Sequence, residues 1–414
     1  MVELKPIFQK AYWSLAAAGL IYVGIICSLT YPTVQRWALY ANKVNPAVWQ
    51  DVNAVESFGF LKTQIQPFNL VTPDNETLYG WHILPLHLCR EHEAELNANE
   101  PTGPADEYTA STAFRLLAND PNARVVVSFH GNAAHLGSAQ RPESYRMLLG
   151  LSSPSTPIHV FAIDYRGFGI STGTPTEDGL ITDGVSLLNF LTSHPLNIPP
   201  SRIVLVGQSL GTAVTAAVAE RFALGSPDPT AVQPAIKDPE PFAGVILLAA
   251  FSNVPSLIES YSLKGITPPM LSPLRGYPRF QNWVRSHILD HWNTAARVAR
   301  LTGVNNTADI NPAYATKGLN LAILHAWDDY EIPWYEGHRV WAAATGEKQK
   351  DAPGALVYEK KDHSGPNELR IWEYQSGDSG AVKRVRWERV GFGGHNLVAT
   401  FSAAALAVLR AFEE

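Results

Sequence analysis

A chain of 414 residues, 46% of them hydrophobic and 17% charged, has an ordinary globular composition and can bury a large core. Its formal net charge of −6 and its lack of a basic block argue against a nucleic-acid partner. The two cysteines, Cys27 and Cys89, lie far apart in the sequence, which excludes a disulfide framework and a CxxC metal site.

The N-terminal segment has the character of a membrane anchor. No charged residue occurs from Ala11 to Gln35, and the core of this window reads YWSLAAAGLIYVGIICSLTY. About 20 apolar residues cross a bilayer as a helix. Residues 1–35 are therefore predicted to be a tail and a retained transmembrane helix, followed by a linker over 36–58. A cleavable signal peptide and a buried core helix are the alternatives, but the segment lacks a small-residue cleavage site and a polar face.

The side of the membrane is only weakly encoded. Lysine and arginine residues flank the apolar segment at both ends, so the positive-inside rule hardly discriminates. Two N-x-[ST] sequons, which begin at Asn75 and Asn305, would suit a lumenal domain, although this number is also expected by chance. The expectation is a single-pass protein of the endoplasmic reticulum membrane with a lumenal, glycosylated catalytic domain.

The pattern after the anchor predicts an α/β protein. Residues 59–86 contain two extended segments around a turn, which predicts a hairpin, and residues 87–121 read as a charged surface insertion. Short apolar runs then alternate with helical patterns, which indicates a mostly parallel central sheet with helices on both faces. The predicted core strands are 124–130, 158–164, 202–207, 243–251, 319–326 and 382–390. The predicted helices are 177–194, 212–224 and 396–414.

Two excursions interrupt this alternation. Residues 252–318 are rich in proline and aromatic residues and lie between two core strands, so they are predicted to form a lid-like insertion over a site. Residues 352–381 contain a second excursion with the turn SGDSG, which predicts an extra hairpin.

The pentapeptide GQSLG at 207–211 marks the first candidate for chemistry. It directly follows the strand pattern RIVLV and directly opens the helix pattern TAVTAAVAE. A G-x-S-x-G pattern alone is weak, and a small residue in a turn is its structural alternative. In a tight strand-to-helix turn, however, Gly207 and Gly211 let the chain pass closely and Ser209 is lifted out of the sheet as a nucleophile.

A nucleophilic serine needs a base, and the base needs an acid that orients it. His395 lies in the glycine-rich loop GFGGHN after a predicted strand, and it is the candidate base. The polar-flanked His363 and the strand residue His325 are weaker candidates. For the acid, chemistry alone leaves both Asp328 and Asp329 open, with Glu331 a distant third and a solvated strand end as the structural alternative.

The oxyanion of an acyl-transfer reaction needs two N–H donors. The backbone of Leu210, next to the serine, is predicted to supply one, and the backbone of Asn132 the other. His130, Gly131 and Asn132 end the first core strand and form the predicted supporting loop. In the loop DYRGFG at 164–169, Asp164 and Arg166 are predicted to pair with each other and brace the site.

These ordered motifs resemble the α/β-hydrolase superfamily over residues 59–414. The segments HGN, DYRGFG, GQSLG, LHAWDD and GGHN are similar to it in the same order. The resemblance is closest to the membrane-anchored abhydrolase-domain monoacylglycerol and lysophosphatidylserine lipases. It implies Ser209, Asp329 and His395 as the triad, because the acid of that group lies four residues before a proline, here Pro333. Trp327 departs from the pattern, since the family commonly has an acidic residue there.

The resemblance and the anchor together imply a serine hydrolase that cleaves the acyl ester of a monoacylglycerol or lysophospholipid. No metal and no organic cofactor are expected, and the membrane and a lipid ester are the expected partners. A protein depalmitoylase with the same triad is one alternative. A non-catalytic binding protein on a hydrolase scaffold is the other.

Overall fold

The computed structural model describes residues 6–44, 50–224, 240–262, 267, 269–304, 317–347, 349, 353–362, 365–376 and 380–413. Several sequence predictions lie outside the described residues. They are the sequon at Asn305, the candidate His363 and residues 377–379 of the SGDSG turn.

A ten-stranded sheet forms the centre of the molecule, in the order β1-β2-β4-β3-β5-β6-β7-β10-β9-β8. The strands are β1 Ile65–Val71, β2 Thr77–Ile83, β3 Arg124–Phe129, β4 Ile158–Ile163, β5 Ile203–Gln208, β6 Gly244–Leu248, β7 Leu319–Ala326, β8 Ala355–Lys361, β9 Glu368–Ser376 and β10 Ala381–Val390. Strands β4, β3, β5, β6, β7 and β10 are parallel to one another. The hairpins β1–β2 and β8–β9 extend this parallel core at its two edges through antiparallel pairing.

This sheet confirms the predicted fold class and the six predicted core strands. The predicted N-terminal hairpin is β1–β2. The excursion at 352–381 contains β8 and β9, which form the predicted extra hairpin. The core strands are near-continuous apolar runs because both faces of a parallel sheet are covered. Val125 and Val127 belong to one buried cluster, whereas Val126 belongs to the other.

Helices cover both faces of the sheet. The helices are α1 Pro6–Ser28, α2 Pro32–Tyr40, α3 Leu86–Glu91, α4 Glu93–Ala98, α5 Thr112–Ala118, α6 Arg141–Leu149, α7 Glu177–Thr192, α8 Leu210–Leu224, α9 Val254–Ser260, α10 Pro278–Ser286, α11 Thr294–Thr302, α12 Trp334–Thr345, α13 Gly394–Leu397 and α14 Ser402–Glu413. The apolar sides of α7, α8 and α12 share one buried cluster, and those of α6 and α14 share the other. The sheet is therefore sandwiched between two helical layers.

The N-terminal helix α1 is long and apolar enough to cross a membrane, and most of its apolar side chains are exposed. The predicted linker over 36–58 is partly ordered structure, because it contains the end of α2 and a short 3₁₀ helix, Val55–Phe58. Tyr40 at the end of α2 is fully buried in the main core. The chain after the candidate span is thus packed against the globular domain.

The predicted lid region, residues 252–318, contains elements of two kinds. Helices α9 and α10 and the short 3₁₀ helix Ser272–Leu274 follow β6, and α10 packs on the end of α1. In contrast, α11 packs on α8 and α12 and belongs to a helical layer of the domain. The lid-like role therefore stays a prediction for the described elements that precede α11.

Candidate active site

Ser209 occupies the sharp turn between β5 and α8, and its backbone has a left-handed φ of 56°. Such a conformation is strained for a residue with a side chain and persists only where the surrounding structure enforces it. A Cβ on Gly211 would collide with the carbonyl oxygen of Phe129, and a Cβ on Gly207 would collide with Gly211 and Thr215. Both glycines are therefore needed for the close approach of the turn to β3 and α8, as the sequence predicted.

The structure brings Ser209, His395 and Asp329 into one hydrogen-bonded chain. The Ser209 Oγ lies 2.8 Å from Nε2 of His395, and Nδ1 of His395 lies 2.8 Å from Oδ2 of Asp329. Asp329 follows β7, and His395 lies in α13 just after β10, so all three side chains extend from the carboxyl ends of parallel strands. In this arrangement the Nδ1–H donates to the carboxylate, which leaves Nε2 free to accept the serine proton.

The two neighbouring aspartates have different partners. Oδ1 of Asp329 accepts the backbone N–H groups of Glu331 and Ile332, both at 2.9 Å. Oδ1 of Asp328 instead accepts the N–H of Gly394 at 2.7 Å and so holds the loop that carries His395. The structure therefore separates the two candidate acids that the sequence left open: Asp329 contacts the imidazole, and Asp328 holds its loop.

Asp329 is ionised in this environment. Burial raises the pKa of its carboxyl, but the charge of His395 and the hydrogen bonds from His325 and His395 outweigh burial and hold the pKa well below its usual range. His325 Nε2 donates to the carbonyl of Ile332 at 2.9 Å and lies 3.2 Å from Oδ2 of Asp329. The core histidine of β7 thus contacts the acid directly.

His395 is a stronger base than an ordinary histidine. Burial lowers the pKa of the imidazole, but the charge and hydrogen bond of Asp329 more than offset burial, so the pKa is raised. Gly394 supplies a backbone with φ of 53° directly before it. Gln208 Nε2 donates to the carbonyl oxygen of His395 at 2.9 Å. The residue before the serine therefore also positions the loop of the histidine.

The loop that ends β3 lies against the serine. A Cβ built on Gly131 would be 3.2 Å from Cβ of Ser209 and 2.9 Å from Oε1 of Gln208. His130 is buried, its pKa is lowered by burial, and its Nδ1 donates to the carbonyl of Gly131 at 2.7 Å. Asn132 follows on the surface, and Leu210 is the first residue of α8. Gly131 thus lies against Ser209, and Asn132 is the next residue of the same loop; the oxyanion hole itself stays a prediction.

Two features of this loop escaped the sequence analysis. The guanidinium of Arg141, at the start of α6, donates to the carbonyl oxygens of Gly131, Asn132, Ala133 and His135. The N–H groups of Ala133 and Ala134 donate to the carbonyls of Tyr40 and Val44, at 2.9 and 3.1 Å. No sequence signal marks these contacts, because all of them end on backbone atoms, and those with Tyr40 and Val44 also join segments that are distant in the chain.

The predicted pair of Asp164 and Arg166 is wrong. Arg166 instead forms ion pairs with Asp183 and Asp74, at 2.8 and 2.6 Å. Oδ1 of Asp164 accepts the N–H of Leu136 at 2.7 Å. The acid therefore supports the loop that follows Asn132, while the arginine ties its own loop to α7 and to the β1–β2 turn.

Trp327, the residue at which the sequence departs from the pattern implied by the resemblance, directly precedes Asp328 and Asp329. Its ring stacks on Trp334 with centroids 5.5 Å apart, and the Arg389 guanidinium lies 4.9 and 4.3 Å from the two rings. Trp327 therefore packs with Trp334 and Arg389, while Asp329 contacts His395.

An apolar cavity of about 160 Å³ lies next to Asn132. A space of this size with apolar walls suits an organic group better than a single water. Its walls come from the end of α1, from α2, from α9 and from residues 270–290, the segment that includes α10. Among the residues that the structure describes, no group of three or more His, Cys, Asp or Glu side chains is arranged to hold a metal ion.

Comparison with known proteins agrees with this architecture. The sequence model of the Alpha/beta hydrolase family matches residues 125–406. The uncharacterized protein YfhR of Salmonella typhi is 29% identical over 226 residues, which cover 54% of this chain and 61% of that protein, so the chain spans less than two thirds of this relative. The lysophosphatidylserine lipase ABHD12 of Gallus gallus is 25% identical over 321 residues, or 77% of this chain and 69% of that protein.

A crystal structure of an alpha-beta hydrolase from Vibrio vulnificus has the same fold. It superposes with a TM-score of 0.54 at 14% sequence identity, and the match covers 92% of this chain and 94% of that one. The family match extends from β3 to α14, and so includes the elements that carry Ser209, Asp329 and His395. The chain belongs to the alpha/beta hydrolase family.

Proposed function

We propose that this hydrolase is a membrane-anchored serine hydrolase that cleaves the acyl ester of a glycerolipid with a single acyl chain, either a monoacylglycerol or a lysophospholipid. The observation that carries the proposal is the hydrogen-bonded chain of Ser209, His395 and Asp329. An apolar cavity that is lined by Asn132, in the loop after β3, supports an apolar substrate. The similarity to a relative named as a lysophosphatidylserine lipase supports the choice of lipid class.

In the first half of the reaction, Ser209 Oγ attacks the ester carbonyl carbon while Nε2 of His395 takes its proton. The N–H groups of Leu210 and Asn132 bind the oxyanion of the tetrahedral intermediate. The N–H groups of Ala133 and Ala134 are engaged with Tyr40 and Val44, which supports Asn132 as the donor of this loop. The intermediate collapses, and the glycerol oxygen leaves with the proton held by His395.

In the second half, a water molecule attacks the acyl-enzyme and His395 takes one of its protons. The second tetrahedral intermediate collapses to the free fatty acid, and the proton returns from His395 to Ser209 Oγ. Asp329 remains ionised throughout, because two backbone N–H groups and His325 stabilise its carboxylate. The scheme uses neither a metal ion nor an organic cofactor.

The proposed location follows from the N-terminal helix. Residues 1–35 would anchor the chain as a single span, and the hydrolase domain over 59–414 would face the lumen of the endoplasmic reticulum. Asn75 is exposed in the turn between β1 and β2, so it is accessible to glycosylation on that side. Release of the full-length protein from membranes by alkaline carbonate would refute the anchor. If Asn75 is glycosylated, Asn75→Gln should increase the electrophoretic mobility of the protein, and equal mobility of the two would refute glycosylation at this site.

The test of the proposed chemistry is active-site labelling with a fluorophosphonate, followed by a substrate panel. Wild type should label, Ser209→Ala should not, and the exposed control Ser155→Ala should label like wild type. Equal labelling of wild type and Ser209→Ala would refute a serine hydrolase with this nucleophile. Monoacylglycerol and lysophospholipid should be hydrolysed faster than a palmitoyl thioester, and turnover of the thioester alone would make the protein a depalmitoylase.

A further inference from the structure

The last turn of the candidate membrane helix α1 is part of the globular domain. Ile26 is only 1% exposed and packs in one buried cluster with Leu271, Leu274 and Val284 of the segment that includes α10. Tyr22 Oη donates to the carbonyl oxygen of Met270 at 2.9 Å. The C-terminal end of the candidate membrane helix therefore packs against the globular domain.

Helix α2 continues this connection. The side-chain amide of Gln35 forms two hydrogen bonds with the backbone on either side of Ile288. Its Nε2 donates to the carbonyl of His287 at 2.5 Å, and its Oε1 accepts from the N–H of Leu289 at 3.1 Å. Tyr40 Oη donates to Asp290 at 2.9 Å. The segment from Tyr22 to Tyr40 is thus fastened at several points to the chain that surrounds α10.

The same segment also reaches the loop beside the serine. The carbonyls of Tyr40 and Val44 accept the N–H groups of Ala133 and Ala134, which directly follow Asn132. Asn42 Nδ2 donates to the carbonyl of Gly167 at 2.6 Å. A continuous set of contacts therefore joins the end of the candidate span to the loop that lies against Ser209.

The apolar cavity lies between these elements. Ile26 of α1 and Leu29 just after it line one end, Ala38 and Leu39 line it from α2, and Asn132 lines it from the loop after β3. Helix α9 and the segment that includes α10 supply the remaining apolar wall. The polar members Gln35 and Asp290 already have hydrogen-bond partners in the protein. The space is therefore suited to an alkyl chain.

We propose that this cavity binds the acyl chain of the substrate, so that the residues at the end of α1 and in α2 that line it belong to the substrate-binding site. The inference rests on the proposed function and adds the site of the acyl chain to it. With the ester carbonyl at Asn132, the chain runs along Ala38 and Leu39 toward Ile26 and Leu29. Each methylene that is transferred from water to apolar surroundings favours binding about fourfold.

The placement also connects the acyl site with the bilayer. The apolar residues of α1 before Tyr22 are mostly exposed, as the residues of a span are. Trp37 of α2, Trp283 of α10 and Tyr277 just before α10 also expose their rings, and aromatic residues of this kind prefer the membrane–water interface. The acyl chain of a lipid can thus pass from the bilayer into the cavity at the end of α1.

A photoreactive probe tests the proposal on the full-length wild-type protein. The probe is a hexadecyl fluorophosphonate with a diazirine near the end of its alkyl chain; Ser209 Oγ displaces fluoride from phosphorus, and light then links the chain to its neighbours. Crosslinks should map to peptides that contain residues between Tyr22 and Val44. Labelling of Ser209 with crosslinks confined to other segments would overturn the acyl site. Absence of any Ser209 labelling would instead refute the proposed function on which the acyl site depends.

A second measurement uses a matched pair of variants on α2. Ala38→Trp adds an indole ring at a residue that lines the cavity, whereas Thr33→Trp adds the same ring on the same helix at a residue that does not line it; both residues are exposed. The ratio of kcat/KM for a palmitoyl ester to that for a butyryl ester should fall at least about tenfold in Ala38→Trp, the loss of roughly two buried methylenes. It should be unchanged in Thr33→Trp. An unchanged ratio in a folded, fluorophosphonate-labelled Ala38→Trp would overturn the proposal.

Discussion

Arg141 Nη2 donates to the carbonyl oxygen of Asn132 at 2.8 Å. The same guanidinium bonds the carbonyls of Gly131, Ala133 and His135, so one side chain holds the carbonyl side of the whole loop after β3. The fixed fork of an arginine can satisfy several acceptors at once, whereas the ammonium of a lysine is a single point charge. Arg141 is thus a positioning residue for the proposed oxyanion donor.

Replacement of this fork should impair catalysis more than binding. In Arg141→Lys we expect kcat to fall by up to about 10²-fold with little change in KM, because loss of one oxyanion donor costs about 10²–10³. Arg146→Lys is the matched control on the same helix, since Arg146 bonds the carbonyl of Phe58 and not the loop. Steady-state kinetics of both variants check the expectation, and equal kcat values for the two would contradict it.

The donor proposed at Asn132 is its backbone N–H, not its side chain. Asn132→Ala should therefore keep kcat within a few-fold of wild type, and Asn132→Pro, which lacks the N–H, should lose about 10²–10³ in kcat. Asn132 is exposed, so neither change removes core packing. Thermal unfolding serves as the control for folding. Similar kcat values for the two folded variants would place the donor elsewhere.

The pH dependence should report the state of His395. The base works only when its imidazole is neutral, so kcat/KM should rise with pH as His395 loses its proton. Because Asp329 raises the pKa of His395, the midpoint of this rise should lie above the ordinary value of 6.5. A pH profile of kcat/KM for wild type measures the midpoint, and a midpoint below that value would contradict the charge assigned to Asp329.

The neighbouring carboxylates provide a matched pair for the same question. Asp329→Asn should lower kcat by roughly 10⁴, because an amide neither stabilises the imidazolium nor selects the tautomer that the serine needs. Asp328→Asn should keep most of the activity, since its amide oxygen can still accept the N–H of Gly394. Rates of fluorophosphonate labelling allow the comparison where a variant turns over too slowly for steady-state kinetics. A larger loss of activity in Asp328→Asn than in Asp329→Asn would make Asp328 the acid.

The parts of this architecture that the sequence predicts are those with local causes. The apolar runs of β3 to β7 and the glycines around Ser209 act within a few residues, so the strands and the turn could be located from the pattern alone. Asp328 and Asp329 could not be separated in this way. Their roles depend on which side chain contacts the imidazole of His395, and Asp329 is oriented for this contact by the N–H groups of Glu331 and Ile332.

Contacts between residues that are distant in the sequence explain which features the sequence analysis got wrong or missed. Residues 36–58 read as a linker because they lack a strong periodic pattern, yet Tyr40 is buried and its carbonyl supports the loop at Asn132 through Ala133. Arg166 was expected to pair with its sequence neighbour Asp164, but Asp183 and Asp74 lie closer once α7 and the β1–β2 turn are in place. A single sequence carries no signal for such pairings.

The tight turn at Ser209 makes a prediction about stability. A Cβ on Gly211 would overlap the carbonyl oxygen of Phe129 and contact that of His130, and backbone atoms of this kind cannot move aside easily. Gly211→Ala should therefore lower the free energy of unfolding by about 1–3 kcal/mol or more, as overpacking does. Gly276→Ala is the control, because nothing lies within 4 Å of the added Cβ. Denaturant unfolding of both variants in detergent measures the difference, and equal stability would mean that β3 and α8 are less closely packed than the structure has them.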